Sequence, residues 1–286
     1  MGTDRLQLCD LPKLKEKKQP IVMVTAYDYP TGRLADEAGV DCVLVGDSLS
    51  NVVLGYPDTV PVTMDEMLHH VKAVTRAVRR AVVIADMPFL SFQVSPERAI
   101  DNAGRFLKEG LAQAVKVEGG GTLVPTVAAM VRAGIPTVGH LGLTPQTAAL
   151  LGGYHVQGKT GRAAHAILED AWRLQEAGIS LLVLECVPDR LAGRIASELS
   201  VPVIGIGAGT GCDGQVLVFH DLLGITFGFA PRFLKTFAEA GRVMREGLAA
   251  YAREVRERTF PAPEHAFPIS DEEWARFERE PGRDRP

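Results

Sequence analysis

Four short apolar runs in this 286-residue sequence end in a carboxylate. "VLVGDS" delivers Asp47 with Ser48 beside it, "AVVIADMP" delivers Asp86, "AVKVEGG" delivers Glu118 and "LLVLEC" delivers Glu185. Lys116 stands two residues before Glu118. Side chains alternate along a strand, so those two point to the same side, which should be the protein interior. Two carboxylates about 4 Å apart repel by roughly 4 kcal/mol at an effective dielectric near 20. Lys116 offsets one such charge, and a gathered cluster therefore calls for a further cation. No CxxC pair or paired-histidine motif accompanies the acids, which disfavours zinc. Oxygen ligands with positions left for water and substrate suit Mg²⁺. Any single acid could equally cap a helix or pair with an arginine; four together with an inward lysine point to a site. Ser48 can donate to a substrate carboxylate or cap the next turn, and the pattern leaves both open. His140, in "GHLGLTPQ", also ends a strand-like run, where packing and catalytic roles weigh equally. "GIGAG" from Gly205 resembles phosphate-binding glycine loops but also suits a tight barrel corner.

The elements that must position these groups alternate along the chain. Strand-like runs begin at Ile21, Cys42, Ala81, Ala114, Pro136, Leu181, Pro202 and Gln215, each rich in Val and Ile and bounded by Gly, Pro or Asp. Helical patterns lie over 31–38, 64–79, 96–109, 123–132, 161–177 and 189–199, and from Phe233 onward. Thr63 and Ser95 are expected N-caps, with Asp65, Glu66 and Glu97 in first turns where the helix dipole favours negative charge. This alternation predicts a (β/α)8 TIM barrel over residues 1–260, with a doubly wound open sheet as the competing architecture. In a barrel, all strands open their C-terminal ends on one face, so the four acids become neighbours there. The connection after the seventh strand leaves little room for a helix. Residues 261–286, charged and proline-rich, read as a tail that is partly extended, with disorder near its end.

Composition narrows the function. The net charge of −4, with both signs mixed throughout, gives no pull toward nucleic acid or an anionic membrane. No apolar run reaches the roughly 18 residues of a membrane span. The polar N-terminus carries no leader-like apolar stretch, and the four cysteines form no CxxC pair. Cys42 and Cys186, inside apolar runs, read as buried, reduced thiols. A cytoplasmic enzyme is expected.

Longer strings carry a more specific resemblance. "VGDSLSNVVLGYPDTVPVT", "ADMPF", "VKVEGG", "VGHLGLTPQ", "LLVLECVP", "PVIGIGAG", "CDGQVLVFHDLLG" and "FPAPEHAF" resemble the ketopantoate hydroxymethyltransferase family from about residue 5 to about residue 267. The resemblance implies a barrel enzyme of pantothenate, hence coenzyme A, biosynthesis, assembled as a homo-oligomer, commonly a decamer of two stacked pentamers. The implied reaction moves a hydroxymethyl group from 5,10-methylenetetrahydrofolate to 3-methyl-2-oxobutanoate, giving 2-dehydropantoate through a Mg²⁺-stabilised enolate. Carried onto this sequence, the metal ligands fall on Asp47, Asp86 and Glu118. The keto-acid contacts fall on Asp47, Ser48, Asp86 and Lys116, and the general base on Glu185. Ser50 stands where glycine is frequent, and Cys212 lies in a variable loop; neither touches a named role. The alternative is a Mg²⁺-dependent carbon–carbon lyase or mutase acting on another 2-oxo acid. Those lyases typically carry a Lys-Cys-Gly-His type string, which is absent here. A catalytically dead scaffold would have lost a ligand or the base, and every position is filled.

Overall fold

The computed structural model describes residues 5–226 and 231–279. Eight strands close into a barrel in simple sequence order, every neighbouring pair parallel, which rules out the open sheet. They are β1 (Ile21–Thr25), β2 (Cys42–Val45), β3 (Val82–Asp86), β4 (Ala114–Glu118), β5 (Thr137–Gly142), β6 (Leu181–Glu185), β7 (Val203–Ile206) and β8 (Gly214–Leu217). Both faces of β2 to β6 are buried almost throughout, which is why they read as continuous apolar runs, while β1 and β8 expose Val22 and Gln215. One face packs outward against helices: Val83, Ala85, Val115, Val117, Leu182 and Leu184 belong to that outer core. The other fills the barrel: Val82, Ile84, Ala114, Leu181 and Val183 belong to the inner core. The inward set on three strands thus runs Val82–Ile84–Asp86, Ala114–Lys116–Glu118 and Leu181–Val183–Glu185. Each inward row ends in an acid at the same rim.

The helices are α1 (Leu11–Glu16), α2 (Tyr29–Glu37), α3 (Leu49–Val52), α4 (Met64–Ala77), α5 (Pro96–Lys108), α6 (Val124–Arg132), α7 (Gly161–Glu176), α8 (Asp189–Glu198), α9 (Phe219–Leu222), α10 (Ala240–Glu257) and α11 (Asp271–Arg279). Thr63 caps α4 in a reciprocal box: its hydroxyl accepts from Glu66 N–H at 3.3 Å, and Glu66 accepts from Thr63 N–H at 2.8 Å. Ser95 Oγ accepts from Arg98 N–H at 3.2 Å to start α5. α2 begins two residues earlier than its pattern suggested, because Asp28 caps it and Pro30 is tolerated in the first turn. No helix separates β7 from β8. Residues 207–213 cross directly, and β8 matches only two register positions on β7 against four on β1.

The opposite end of the barrel is closed by the N-terminal segment. Leu11, fully buried in α1, belongs to the inner core, with Leu6, Leu8 and Leu14 packed against it. Lys15 Nζ donates to the carbonyls of Ala196 and Val201 at 2.7 and 3.0 Å and to Asp213 Oδ2 at 2.8 Å, at the entries to β7 and β8.

The chain divides into two compact units, meeting in sequence at Ala238 and Glu239. α10 of the second unit starts at Ala240, later than the helical pattern from Phe233 suggests; residues 233–239 form no helix. Residues 261–270 include a single 3-10 turn, Pro263–His265, and Phe267 is fully exposed. The tail also contains α11, where Asp271, Glu272 and Glu273 occupy the first turn and Arg276 and Arg279 the last, the charge order a helix dipole favours. Disorder near the end was expected over a stretch that includes 280–286, which lies outside the described residues.

Candidate active site

Strand alternation explains three of the acids; Asp47 arrives differently. It follows Gly46 just past β2, and its own N–H donates to Asp86 Oδ2 at 3.2 Å. One ligand oxygen each from Asp47, Asp86 and Glu118 lies within 4.8 Å of the others, and all three residues are buried. Lys116 Nζ sits among them, 2.9 Å from Asp86 Oδ1 and 3.1 Å from Glu118 Oε1. Asp86 Oδ1 is buried and meets the Lys116 ammonium as an ion pair, with no further hydrogen-bond partner. A buried carboxylate oxygen paired with a single ammonium and facing two other carboxylates fits a cation ligand. The donor set is all oxygen, as a hard divalent cation requires.

The charges distribute unevenly. Burial, then Asp86 and Glu118, push the Asp47 carboxyl well above the usual range. Burial also raises Asp86, against the pull of Lys116. For Glu118 burial is outweighed by Lys116 and His140, which hold it down at about 2. Burial disfavours the Lys116 ammonium, yet Asp86, Glu118 and Asp47 together keep it charged and raise its pKa. A single lysine cannot neutralise three carboxylates, and this deficit is what a bound cation would fill.

His140 bridges the cluster to the outermost acid. Lys116 Nζ lies 3.0 Å from its Nδ1, and its Nε2 stands 3.4 Å from Glu185 Oε2. Burial and Lys116 disfavour imidazolium, while Glu118 and Glu185 favour it, and the balance lies above the ordinary histidine value. Glu185 keeps 17% of its side chain exposed, the others of the cluster 3% or less where they pair. It therefore faces the space where a substrate would stand. Gly142 makes this placement possible. Its φ is +94°, and a Cβ there would overlap the Glu185 carbonyl oxygen, which accepts from Leu143 N–H at 2.8 Å.

Ser48 stands at the N-cap position of α3, but its side chain makes no capping bond; its Oγ instead shares a 2.8 Å hydrogen bond with the buried Tyr27 hydroxyl. A cavity of about 780 Å³ opens above these groups, more room than a small keto acid needs. Its wall includes Cys186, whose thiol burial pushes up to about 11, so it stays protonated near neutrality and is a poor nucleophile. All six residues assigned from sequence (Asp47, Ser48, Asp86, Lys116, Glu118 and Glu185) line this cavity, and so does His140. Two polar residues in direct contact with them were not anticipated. Gln146 bonds Asp47, and Tyr27 bonds Ser48. Both are uncharged in sequence, and only the strings "TPQ" and "TAYD" near strand ends hinted at them.

Fold and site together define a parallel (β/α)8 barrel whose C-terminal mouth holds a buried carboxylate cluster suited to a divalent cation. The ketopantoate hydroxymethyltransferase family model matches residues 5–263. The 3-methyl-2-oxobutanoate hydroxymethyltransferase of Moorella thermoacetica is 57% identical over 263 residues, covering 92% of this chain and 98% of that protein. The enzyme of the same name from Carboxydothermus hydrogenoformans is 53% identical over 269 residues, covering 94% and 98%. This chain belongs to the ketopantoate hydroxymethyltransferase family. Among solved structures, a phosphonopyruvate hydrolase in complex with oxalate and Mg²⁺ superposes with a TM-score of 0.60 at 14% identity, covering 95% of this chain and 94% of that one. The phosphoenolpyruvate phosphomutase of Streptomyces platensis subsp. rosaceus gives 0.59 at 14% identity, with 95% and 97% covered. At that identity the likeness establishes the barrel alone. No helix among the described residues is long and apolar enough to cross a membrane.

Proposed function

We propose that this chain transfers a hydroxymethyl group from 5,10-methylenetetrahydrofolate to 3-methyl-2-oxobutanoate, forming 2-dehydropantoate in pantothenate biosynthesis. The observation that carries this reading is one buried lysine held among three carboxylates that converge on a common point, with a fourth, more exposed acid beside them. Asp47, Asp86 and Glu118 would hold Mg²⁺. Bound there, the cation supplies Lewis acidity to an enolising 2-keto acid. Lys116 and Ser48 offer a positive charge and a hydroxyl to the substrate carboxylate, and Asp47 and Asp86 border the same position. Glu185 is assigned as general base. It accepts the proton from C3, and the electron pair left on C3 forms the new bond to the folate-derived methylene carbon, whose two bonds to folate nitrogens break while one water supplies the hydroxyl and tetrahydrofolate departs. His140 Nε2 borders Glu185 at 3.4 Å without a hydrogen bond of regular geometry, close enough for the carboxylate to favour imidazolium.

The test is turnover with 3-methyl-2-oxobutanoate and methylenetetrahydrofolate. Chelation should abolish activity, Mg²⁺ should restore it, and Asp86→Ala should weaken both metal and keto-acid binding. Full activity of exhaustively metal-free protein would remove the metal from the mechanism. All assigned groups precede residue 260, so catalysis is placed in that segment. We also infer a large homo-oligomer, a decamer on the family pattern, because α10 exposes Met244, Leu248, Tyr251 and Val255 at helical spacing. A stable, active monomer in sedimentation would reject it. An exposed free thiol, Cys9, fits a reducing, cytoplasmic setting, checked by fractionation of cells expressing the tagged chain.

A further inference from the structure

We infer that Gln146 is a positioning residue for the metal site, holding two of its three carboxylates in register. The inference rests on the assignment of Asp47, Asp86 and Glu118 as metal ligands. Gln146 lies in the 3-10 turn Pro145–Thr147 just after β5, and is buried. Its Nε2 donates to Asp47 Oδ2 at 2.9 Å and to the Met87 carbonyl at 2.8 Å. Its backbone N–H donates to Glu118 Oε2 at 3.1 Å. One residue therefore ties together carboxylates delivered by β2 and β4, and anchors both to the segment that follows β3.

The amide can stand only one way round. Its Oε1 accepts from Gln93 Nε2 at 3.2 Å. Reversing the group would set an acceptor against the Asp47 carboxylate and the Met87 carbonyl, and a donor against Gln93. Both amide hydrogens are thus committed to acceptors, and the side chain has no freedom to approach a substrate. What it can do is restrict Asp47. With Oδ2 engaged, Asp47 presents its other oxygen to the cluster as a single, oriented ligand atom. Glu118 is held likewise: Oε2 by the Gln146 backbone, Oε1 by Lys116. Neither carboxylate can rotate to pair its two oxygens symmetrically. The arrangement counters the mutual repulsion that would otherwise drive the acids apart before a cation arrives. Groups that bond to metal ligands from behind typically contribute 10–100-fold in metal affinity.

The test is Mn²⁺ binding to the intact protein, followed by electron paramagnetic resonance without either organic substrate. Gln146→Met keeps the length and bulk of the side chain but removes both donors to Asp47 and Met87. Gln146→Asn keeps the amide on a stem one methylene too short. Each should weaken Mn²⁺ binding by about 10–100-fold while the folded spectrum is retained. Saturating Mg²⁺ should bring kcat back to within a few-fold of wild type, since Gln146 touches no reacting atom. Mn²⁺ affinity within twofold of wild type in a folded variant overturns the proposal and leaves the metal assignment standing. A kcat that no Mg²⁺ concentration restores, or loss of the fold in both variants, places Gln146 in general packing and also overturns it. If wild type itself binds no Mn²⁺, the metal assignment and this inference fall together.

Discussion

Replacing Lys116 by Met removes one charge and little volume, and its consequence can be worked from two distances. The ammonium lies 2.9 Å from Asp86 and 3.1 Å from Glu118, all three side chains being at most 3% exposed. At an effective dielectric near 20 each attraction is roughly 5–6 kcal/mol, before the cost of taking the lysine out of water. Removing one partner of a buried pair costs about 3–5 kcal/mol net, because the remaining charges stay buried and uncompensated. For a chain of this size each kcal/mol moves the unfolding midpoint by about 2–4 °C, so metal-free Lys116→Met should melt roughly 6–20 °C below wild type. The deficit should depend on pH. Asp47 and Asp86 already sit above the ordinary carboxylate value, and Lys116 is among the groups pulling them down. Without it their folded values rise further above the unfolded ones. An acid raised in the folded state binds protons more tightly there, so its contribution is lost as pH rises above the ordinary carboxylate range, near pH 4, through the folded value. The gap between variant and wild type should therefore widen from pH 5 to pH 8. Calorimetry in the presence of chelator measures it, and added Mg²⁺ should narrow it. In kinetics, KM for the keto acid should rise far more than KM for the folate. A melting point within 2 °C of wild type at pH 8 would refute the charge accounting, and equal effects on both KM values would refute the substrate contact.

Glu185→Gln should retain Mg²⁺ and keto-acid binding but slow exchange of the C3 proton with deuterated solvent by about 10²–10⁴-fold, read by NMR with no folate present; an unchanged rate would turn attention to His140. Gly142→Ala, forced into a left-handed conformation against the Glu185 carbonyl, should destabilise by more than about 1 kcal/mol in chemical denaturation and slow the same exchange. Thr63→Ala, at the cap of α4 and away from the cavity, should cost about 1 kcal/mol, seen as a melting shift of about 2–4 °C with kcat unchanged.

The barrel and the residues of its mouth were legible because strand period and charge act locally. Val82–Ile84–Asp86 and Ala114–Lys116–Glu118 alternate in sequence as they do in space, and the N-caps Thr63 and Ser95 bond within their own first turns. Missing from that reading was whatever depends on a partner distant in sequence. Gln146 looks like an ordinary turn residue until Asp47, 99 positions away, is placed beside it. Ser48 bonds Tyr27, 21 positions away, rather than its own helix, and no local pattern announces that partner. Phe233 opened an apolar pattern that suggested helix, yet the helix waits until Ala240. Phe233 marks a tertiary contact rather than a helical period: it covers Gly207, where a Cβ would meet its ring.

The N-terminal closure of the barrel has a consequence for traffic. Because α1 and its leucines close the end away from the acids and inner-core side chains fill the barrel between, the described residues leave the acids approachable from the mouth. Substrate, water, cation and the departing proton share one doorway. Lys116 is buried and lines the mouth cavity, so an anion drawn to it would enter by the route proposed for the keto acid. Occupancy of that passage by one reactant would then delay admission of the next.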